Sequence, residues 1–196
     1  MEFIFQIAVL IMSVVIHEVA HGYAASYLGD ETARYQGRLT LNPLSHLDPI
    51  GSFFVPLFSY SLGGFIIGWA RPVPYNPYNL RPSRWSEAIV AVAGPASNLS
   101  IALIFSLIMR FASPAFAGII SLVVLINIIL AVFNLIPIPP LDGSKILFSL
   151  LPSGSSRIRD YFEQYGFVLL ILFVFFAWQA IMPISLAIFG LFTGIQ

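Results

Sequence analysis

Four long apolar segments constrain the fold of this chain more than any other feature. A transmembrane helix needs about 20 predominantly apolar residues to cross the hydrocarbon core of a bilayer. Segments of this kind occupy residues 3–28, 86–110, 118–142 and 165–192. Charged residues make up only 9% of the chain, whereas soluble domains carry about 25%. The sequence therefore predicts an all-α polytopic membrane protein that forms one membrane-embedded domain over residues 1–196.

A fifth apolar run, residues 50–70, has two interpretations. It contains Pro56 and the adjacent glycines Gly63 and Gly64. Glycine and proline at this density are typical of non-helical backbone that lines a cavity within a membrane protein. We therefore expect four spans and a re-entrant element, and a plain fifth span is the alternative.

A short strand is predicted in the loop that follows the first apolar segment. Residues 33–41 alternate polar and apolar side chains, and a period of two is typical of a strand. Residues 71–83 are rich in proline and should run extended. With the fifth apolar run, these segments make up a predicted β and re-entrant region over residues 33–83, near the cytoplasmic face.

The basic residues predict the orientation of the chain in the bilayer. If residues 50–70 do not cross, eight of the nine basic residues lie in loops on one face, and Arg110 lies on the other. Loops rich in lysine and arginine stay in the cytoplasm. The sequence thus predicts a multi-pass protein of the cell (inner or plasma) membrane with both termini outside. Because the net charge is zero, no nucleic-acid partner is expected.

The first apolar segment contains the sequence HEVAH, from His17 through Glu18 to His21. Residues four apart share one face of a helix, so both imidazoles can bind one ion. The glutamate stands where it can take a proton from water on that ion. Ionisable groups inside a membrane are costly and are presumed to be functional. This favours a metal site over neutral side chains that hydrogen-bond to neighbouring helices.

A catalytic zinc site needs a third protein ligand and an open position for water. The chain has no cysteine, so that ligand must be histidine, aspartate or glutamate. Asp142 follows the proline-rich end of the third span and could meet the histidines just below the cytoplasmic surface. Its alternative role is that of a turn or N-cap aspartate. His46 and Asp48, in the loop after the first span, are rival ligands.

Three motifs together resemble the site-2 protease family of intramembrane zinc metalloproteases. They are HEVAHG (17–22), AGPASN (93–98) and NLIPIPPLDG (134–143). The resemblance covers nearly residues 10–150 and is greatest to the small prokaryotic branch without a PDZ domain. It implies one zinc per chain and cleavage of peptide bonds in transmembrane or membrane-proximal segments of substrate proteins.

The resemblance also implies a role for each residue that matches a motif. Glu18 would act as general base, and Asn98 would help to hold the substrate or its oxyanion, although a buried asparagine can instead hydrogen-bond between helices. The zinc ligands would be His17, His21 and Asp142. The candidates for the mouth of the site or for substrate binding are His46, Gly68 and Asn134.

The expected partners are the lipid bilayer, a regulatory protein in trans and a membrane-protein substrate whose transmembrane segment has unwound. The strand at 33–41 or the glycine-rich element at 63–75 is expected to hold that segment by β-addition. The alternative function is a zinc-binding membrane protein without proteolysis, in which zinc is structural or is transported. Residues 167–192 contain no ionisable group, and this weakens the transport alternative.

Overall fold

The computed structural model of the chain describes residues 2–48, 50–54, 70–152, 155–176 and 178–195, and these residues are predominantly helical. Seven α-helices lie within them: α1 (Glu2–Tyr27), α2 (Thr32–Tyr35), α3 (Ser86–Met109), α4 (Pro114–Asn134), α5 (Asp142–Leu150), α6 (Ser156–Phe176) and α7 (Ile181–Thr193). Short 3-10 or π-helical turns lie at Pro43–His46, Ile50–Phe54, Pro77–Asn79 and Trp178–Ala180.

Helices α1, α3 and α4 are each long and apolar enough to cross a membrane. Helices α6 and α7 make a fourth span if they are counted as one, but they meet at an angle of 74°. The predicted multi-pass, α-helical architecture is therefore confirmed, with three to four candidate spans in the described parts of the chain. Beyond the π-helical turn Ile50–Phe54, the predicted re-entrant element lies outside the described residues up to Ala70.

The predicted helix limits differ most from the structure in three places: α6 begins at Ser156 and not at residue 165, and proline explains the other two differences. The helix predicted over 118–142 ends at Asn134, because Pro137 has no N–H and its ring would collide with the Phe133 carbonyl in a continued helix. The helix predicted over 165–192 is interrupted before Ile181. Pro183 fits in the first turn of α7, where its missing N–H has no helical partner, but it would collide with the residue 179 carbonyl in a continuous helix.

The strand predicted over residues 33–41 is also wrong. Thr32–Tyr35 form a turn of α-helix, and the described part of the chain contains no strand. Backbone bonds in this stretch are local: the Gln36 N–H donates to Thr32 O (3.1 Å) and the Arg38 N–H to Ala33 O (2.9 Å). The residues of this stretch do not divide into a buried and an exposed face: the apolar Tyr35 is 85% exposed, whereas the Arg38 side chain is buried.

Helix α3 lies at the centre of the bundle and packs against α1, α4 and α5. Small side chains at these contacts let the backbones approach closely, as is usual between membrane helices. Four alanines that are fully buried lie on α1, α3 and α4: Ala25, Ala91, Ala102 and Ala131. This close packing brings the functional motifs of three helices to one point.

Asp30 fastens the loop at residues 70–80 to the end of α1. The residue is fully buried, and its carboxylate accepts hydrogen bonds from the Thr32 backbone and hydroxyl, from the Asn76 N–H (2.7 Å) and from the Asn79 side chain (2.9 Å). The Arg81 N–H also donates to Leu28 O (2.8 Å). The loop is thereby held against α1, the helix that carries His17 and His21.

We expect Asp30→Asn to lower the free energy of unfolding by about 1–3 kcal/mol at pH 7, because it weakens a buried set of charge-assisted hydrogen bonds. Burial raises the pKa of Asp30, but the bonds from Thr32, Asn79 and Asn76 outweigh it and hold the pKa below its ordinary value. A lowered pKa in the folded state stabilises the protein above the unfolded pKa of about 3.9, and this contribution disappears as the pH falls through the folded pKa.

Thermal unfolding in detergent between pH 3 and 7 measures this difference. The matched control is Asp160→Asn, which changes an exposed aspartate on α6. A stability loss in Asp30→Asn that does not shrink towards pH 3 would contradict the assignment.

Candidate metal centre

His17 and His21 lie one turn apart on α1 and face Asp142, the first residue of α5. All three are buried, with 5%, 8% and 7% of their surface exposed. The carboxylate Oδ2 of Asp142 is 3.1 Å from His17 Nε2 and 3.2 Å from His21 Nε2, and the two Nε2 atoms are 3.0 Å apart. One atom of each residue therefore converges on a common point.

Two glycines permit this convergence. A Cβ atom at Gly94, within the AGPASN motif of α3, would collide with the Nε2 atoms of both imidazoles. A Cβ atom at Gly143 would overlap the backbone carbonyls of Leu135 and Ile136, where the chain turns between α4 and α5. These positions need glycine because a histidine ring or a carbonyl fills the space of a side chain.

The outer nitrogens of the imidazoles determine the protonation of the inner ones. His21 Nδ1 lies 2.7 Å from the Val90 carbonyl, and since a carbonyl only accepts, Nδ1 must carry the proton. His17 Nδ1 lies 2.7 Å from Asn98 Oδ1. The amide group of Asn98 donates to Ser13 O (3.3 Å) and Asn127 Oδ1 (2.8 Å), so its oxygen faces His17. In the neutral rings both Nε2 atoms then carry lone pairs.

With both rings neutral, two imidazole lone pairs and a carboxylate oxygen meet at this point, and a cation at their centre would remove the repulsion among them. Around a tetrahedral ion with bonds of 2.0–2.1 Å, ligand atoms are about 3.4 Å apart. The observed separations of 3.0–3.2 Å are close to this value. The geometry and the donor set therefore fit a divalent transition-metal ion with three protein ligands.

A cavity of about 350 Å³ opens beside the three ligands. Its walls include Glu18, Tyr75, Asn134 and Lys145. Glu18 Oε2 accepts a hydrogen bond from the backbone N–H of Val73 at 2.8 Å. A carboxylate that is held in this way beside an open coordination position can exchange protons with a water molecule there.

Residues 71–73 cross the cavity wall with most of their backbone polar groups engaged. The Arg71 N–H donates to the His46 carbonyl at 2.8 Å, and the carbonyls of Arg71 and Pro72 accept from the Arg38 guanidinium at 2.9 and 3.2 Å. The Val73 N–H is bound to Glu18, and proline has no N–H to donate. This segment therefore offers few free groups for an added substrate strand.

The rival ligands lie away from the ligand group. His46 is buried (1% exposed) and its Nε2 lies 2.9 Å from the Thr40 carbonyl. The Asp48 carboxylate accepts from the Ile50 and Gly51 N–H groups. Both side chains organise the loop, and among the described residues the group that can hold a metal is His17, His21 and Asp142.

The other predicted site residues are placed as follows. Asn134 lines the cavity, and its amide donates to Leu130 O at 2.9 Å. Asn98 is fully buried and lies beside His17 but outside the cavity wall. Gly68 lies outside the described residues.

Sequence reasoning missed Asn127, a fully buried residue of α4. Its carboxamide accepts from Asn98 and donates to the Ser13 hydroxyl at 3.0 Å. It thereby joins α4 to the two helices that carry His17 and Asn98. The available signal was an isolated asparagine in a very apolar span, where polar side chains commonly bond between helices.

Comparisons with known proteins agree with this geometry. The sequence profile described as "Peptidase family M50" matches residues 5–115 and 110–178. The chain is 41% identical over 177 residues to "Putative zinc metalloprotease YwhC" of Bacillus subtilis (strain 168), a match that covers 84% of this chain and 78% of that protein.

A second relative is "Putative zinc metalloprotease Rip2" of Mycolicibacterium smegmatis, which is 35% identical over 173 residues, or 86% of this chain and 66% of that protein. "Putative zinc metalloprotease MJ0611" of Methanocaldococcus jannaschii is 40% identical over 62 residues, or 30% of this chain and 31% of that protein. No solved structure matches the chain. The extent of the profile match and these identities show that the chain belongs to peptidase family M50, the site-2 protease family.

Proposed function

We propose that the chain is an intramembrane zinc metalloprotease that hydrolyses peptide bonds in transmembrane or membrane-proximal segments of other proteins. The observation that carries this proposal is the convergence of three metal-binding atoms, from His17, His21 and Asp142, beside the cavity that Glu18 also lines. Zinc is the ion that the donor set suits, and the names of the relatives specify zinc.

Glu18 is the general base of the proposed reaction. Bound zinc would lower the pKa of a water molecule to about 7 and polarise the substrate carbonyl. The Glu18 carboxylate accepts a proton from the attacking water and then delivers it to the leaving nitrogen. The Val73 N–H fixes one carboxylate oxygen, which leaves the other oxygen to face the water.

Asn98 acts in this proposal as a positioning residue and not as the oxyanion donor that its motif implies. Its carbonyl oxygen is bound to His17 and its amide group to Ser13 and Asn127. A hydrogen bond to the outer nitrogen of a metal-binding histidine fixes the tautomer and the orientation of the ring. Asn127 extends this support to α4.

The cavity is proposed to face the cytoplasmic side of the membrane. It lies at the end of the bundle where the loop after α1 packs on residues 70–81, and these segments carry Arg34, Arg38, Arg71 and Arg81. Positively charged loops are retained in the cytoplasm. A substrate helix would have to unwind to present a peptide bond there, because its own hydrogen bonds shield its carbonyls.

We expect one zinc per chain in the detergent-purified wild type and in Glu18→Gln, and loss of zinc in Asp142→Ala. Removal of Asp142 takes away one of three ligands, whereas Glu18 contacts the water and not the ion. Metal analysis by mass spectrometry gives the stoichiometry, and cleavage of an apolar peptide should be absent from Glu18→Gln.

Asp160→Ala, a change at an exposed aspartate, is the matched control and should retain both zinc and cleavage. Zinc retained by Asp142→Ala would contradict the ligand set. A zinc-loaded wild type that cleaves no membrane peptide would favour structural zinc over proteolysis.

We expect Asn127→Leu to weaken zinc binding by up to about 10-fold, the lower end of the effect of losing an outer-shell partner of a metal ligand, because Asn127 bonds that partner, Asn98, and not His17 itself. The change removes one of the two acceptors of the Asn98 amide and leaves Ser13 O as the other, so the side chain that orients His17 is held less firmly. Competition with a chromophoric chelator measures the affinity in samples with the same folded fraction.

Ser106→Ala is the control for loss of a buried polar group. Ser106 is fully buried on α3, and its hydroxyl donates to Leu103 O within that helix. Zinc affinity equal to wild type in both variants would remove Asn127 from the support of the metal centre.

A further inference from the structure

Lys145 lies on the wall of the cavity, yet the proposed reaction does not use it. It follows Asp142 by three residues on α5, and residues three apart share one helix face. Its half-buried side chain lines the same space as the metal ligands and Glu18.

The Lys145 ammonium group is held by an aromatic ring. Its Nζ atom lies 5.0 Å from the centroid of Tyr75, within the range of a cation–π interaction. In the described parts of the chain the ion pairs join other residues, and none includes Lys145. The ammonium therefore keeps hydrogen-bond donors available for an anion, since it has three.

The two carboxylates on the cavity wall are engaged elsewhere. Glu18 accepts from the Val73 N–H, and Asp142 lies against the two imidazoles. The backbone of residues 71–73, of which Pro72 and Val73 line the cavity, is also largely engaged. Recognition of a substrate in this cavity must therefore depend substantially on side chains, and Lys145 is the cation among them.

We propose that Lys145 is a specificity-determining residue that binds a carboxylate of the substrate close to the cleaved bond. This inference rests on the proposed proteolytic function. The carboxylate can come from an aspartate or glutamate side chain that flanks the bond, or from the C-terminus of a chain that is cut near its end. Either source forms a charge-assisted hydrogen bond with the ammonium.

The test uses a set of quenched fluorescent peptides with one apolar sequence that contains a central helix-breaking Asn-Pro pair. Each position within three residues of the cleaved bond carries Asp, Asn or Lys in turn, and both ends are blocked. A second pair of short peptides differs only in a free or an amidated C-terminus. The ratio of kcat/KM for Asp over Asn, or for free over amidated, is measured for wild type, Lys145→Arg, Lys145→Met and Lys145→Glu.

We expect wild type to prefer the carboxylate by about 10-fold in at least one peptide pair, which corresponds to a single charge-assisted hydrogen bond. Lys145→Arg should keep the preference, Lys145→Met should reduce the ratio to about 1, and Lys145→Glu should favour Lys over Asp at the same position. The pair that shows the effect identifies the source of the carboxylate. Equal cleavage of all pairs by wild type, or an unchanged ratio in Lys145→Met, would overturn the assignment.

Peptide binding separates this inference from the proposed function. Fluorescence anisotropy gives the Kd of each peptide for the zinc-loaded Glu18→Gln protein, with Lys145 intact or replaced by methionine. Suppose that wild type cleaves no peptide but that binding shows a carboxylate preference, which Lys145→Met removes. The proposed proteolytic function would then be refuted, and the role of Lys145 would stand. Cleavage by wild type without any carboxylate preference in binding would refute the role of Lys145 alone.

Discussion

The mutual repulsion of three electron-pair donors, buried between helices, is the constraint on which the rest of this structure depends. Two imidazole nitrogens and one carboxylate oxygen approach to 3.0–3.2 Å in surroundings of low dielectric constant, where unscreened charge is costly. A cation offsets that cost, and the outer partners of the rings, Val90 and Asn98, keep the lone pairs directed inward. Helix α3 supplies both of these partners as well as the glycine that the rings pack against, which explains why it occupies the centre of the bundle.

Much of the metal centre could be predicted because its chemistry is local in sequence. The four-residue spacing of His17 and His21 places both side chains on one helix face. Because ionisable groups inside a membrane are costly, that face is expected to be functional. Asp142 needed the resemblance of its motif to a known family, since the residues alone left His46 and Asp48 as rivals. Asn127 was missed because its partners, Asn98 and Ser13, lie 29 and 114 residues away, and no local pattern encodes a contact of that kind.

The errors in the fold have the same origin. Residues 33–41 alternate as a strand would, but their backbone bonds are local, and Arg38 is buried against another loop and bound to its carbonyls. The C-terminal apolar segment is long enough to span a bilayer, but its length could not predict the 74° angle between α6 and α7. Apolar composition predicts which segments enter the bilayer, whereas tertiary hydrogen bonds and proline positions decide where each helix begins and ends.

The PVP sequence at residues 72–74 shows how the positioning of Glu18, the proposed general base, would limit the ways in which a substrate can be held. Because both flanking residues are prolines, Val73 has the single N–H in this tripeptide, and that N–H is bound to Glu18. A substrate strand that took this donor would release the carboxylate that it orients. The backbone of residues 71–73 is thus suited to hold Glu18 and offers little to a substrate strand. The side chains of Asn134 and Lys145 also line the cavity, so in this protein specificity is expected to reside in side chains more than in backbone pairing.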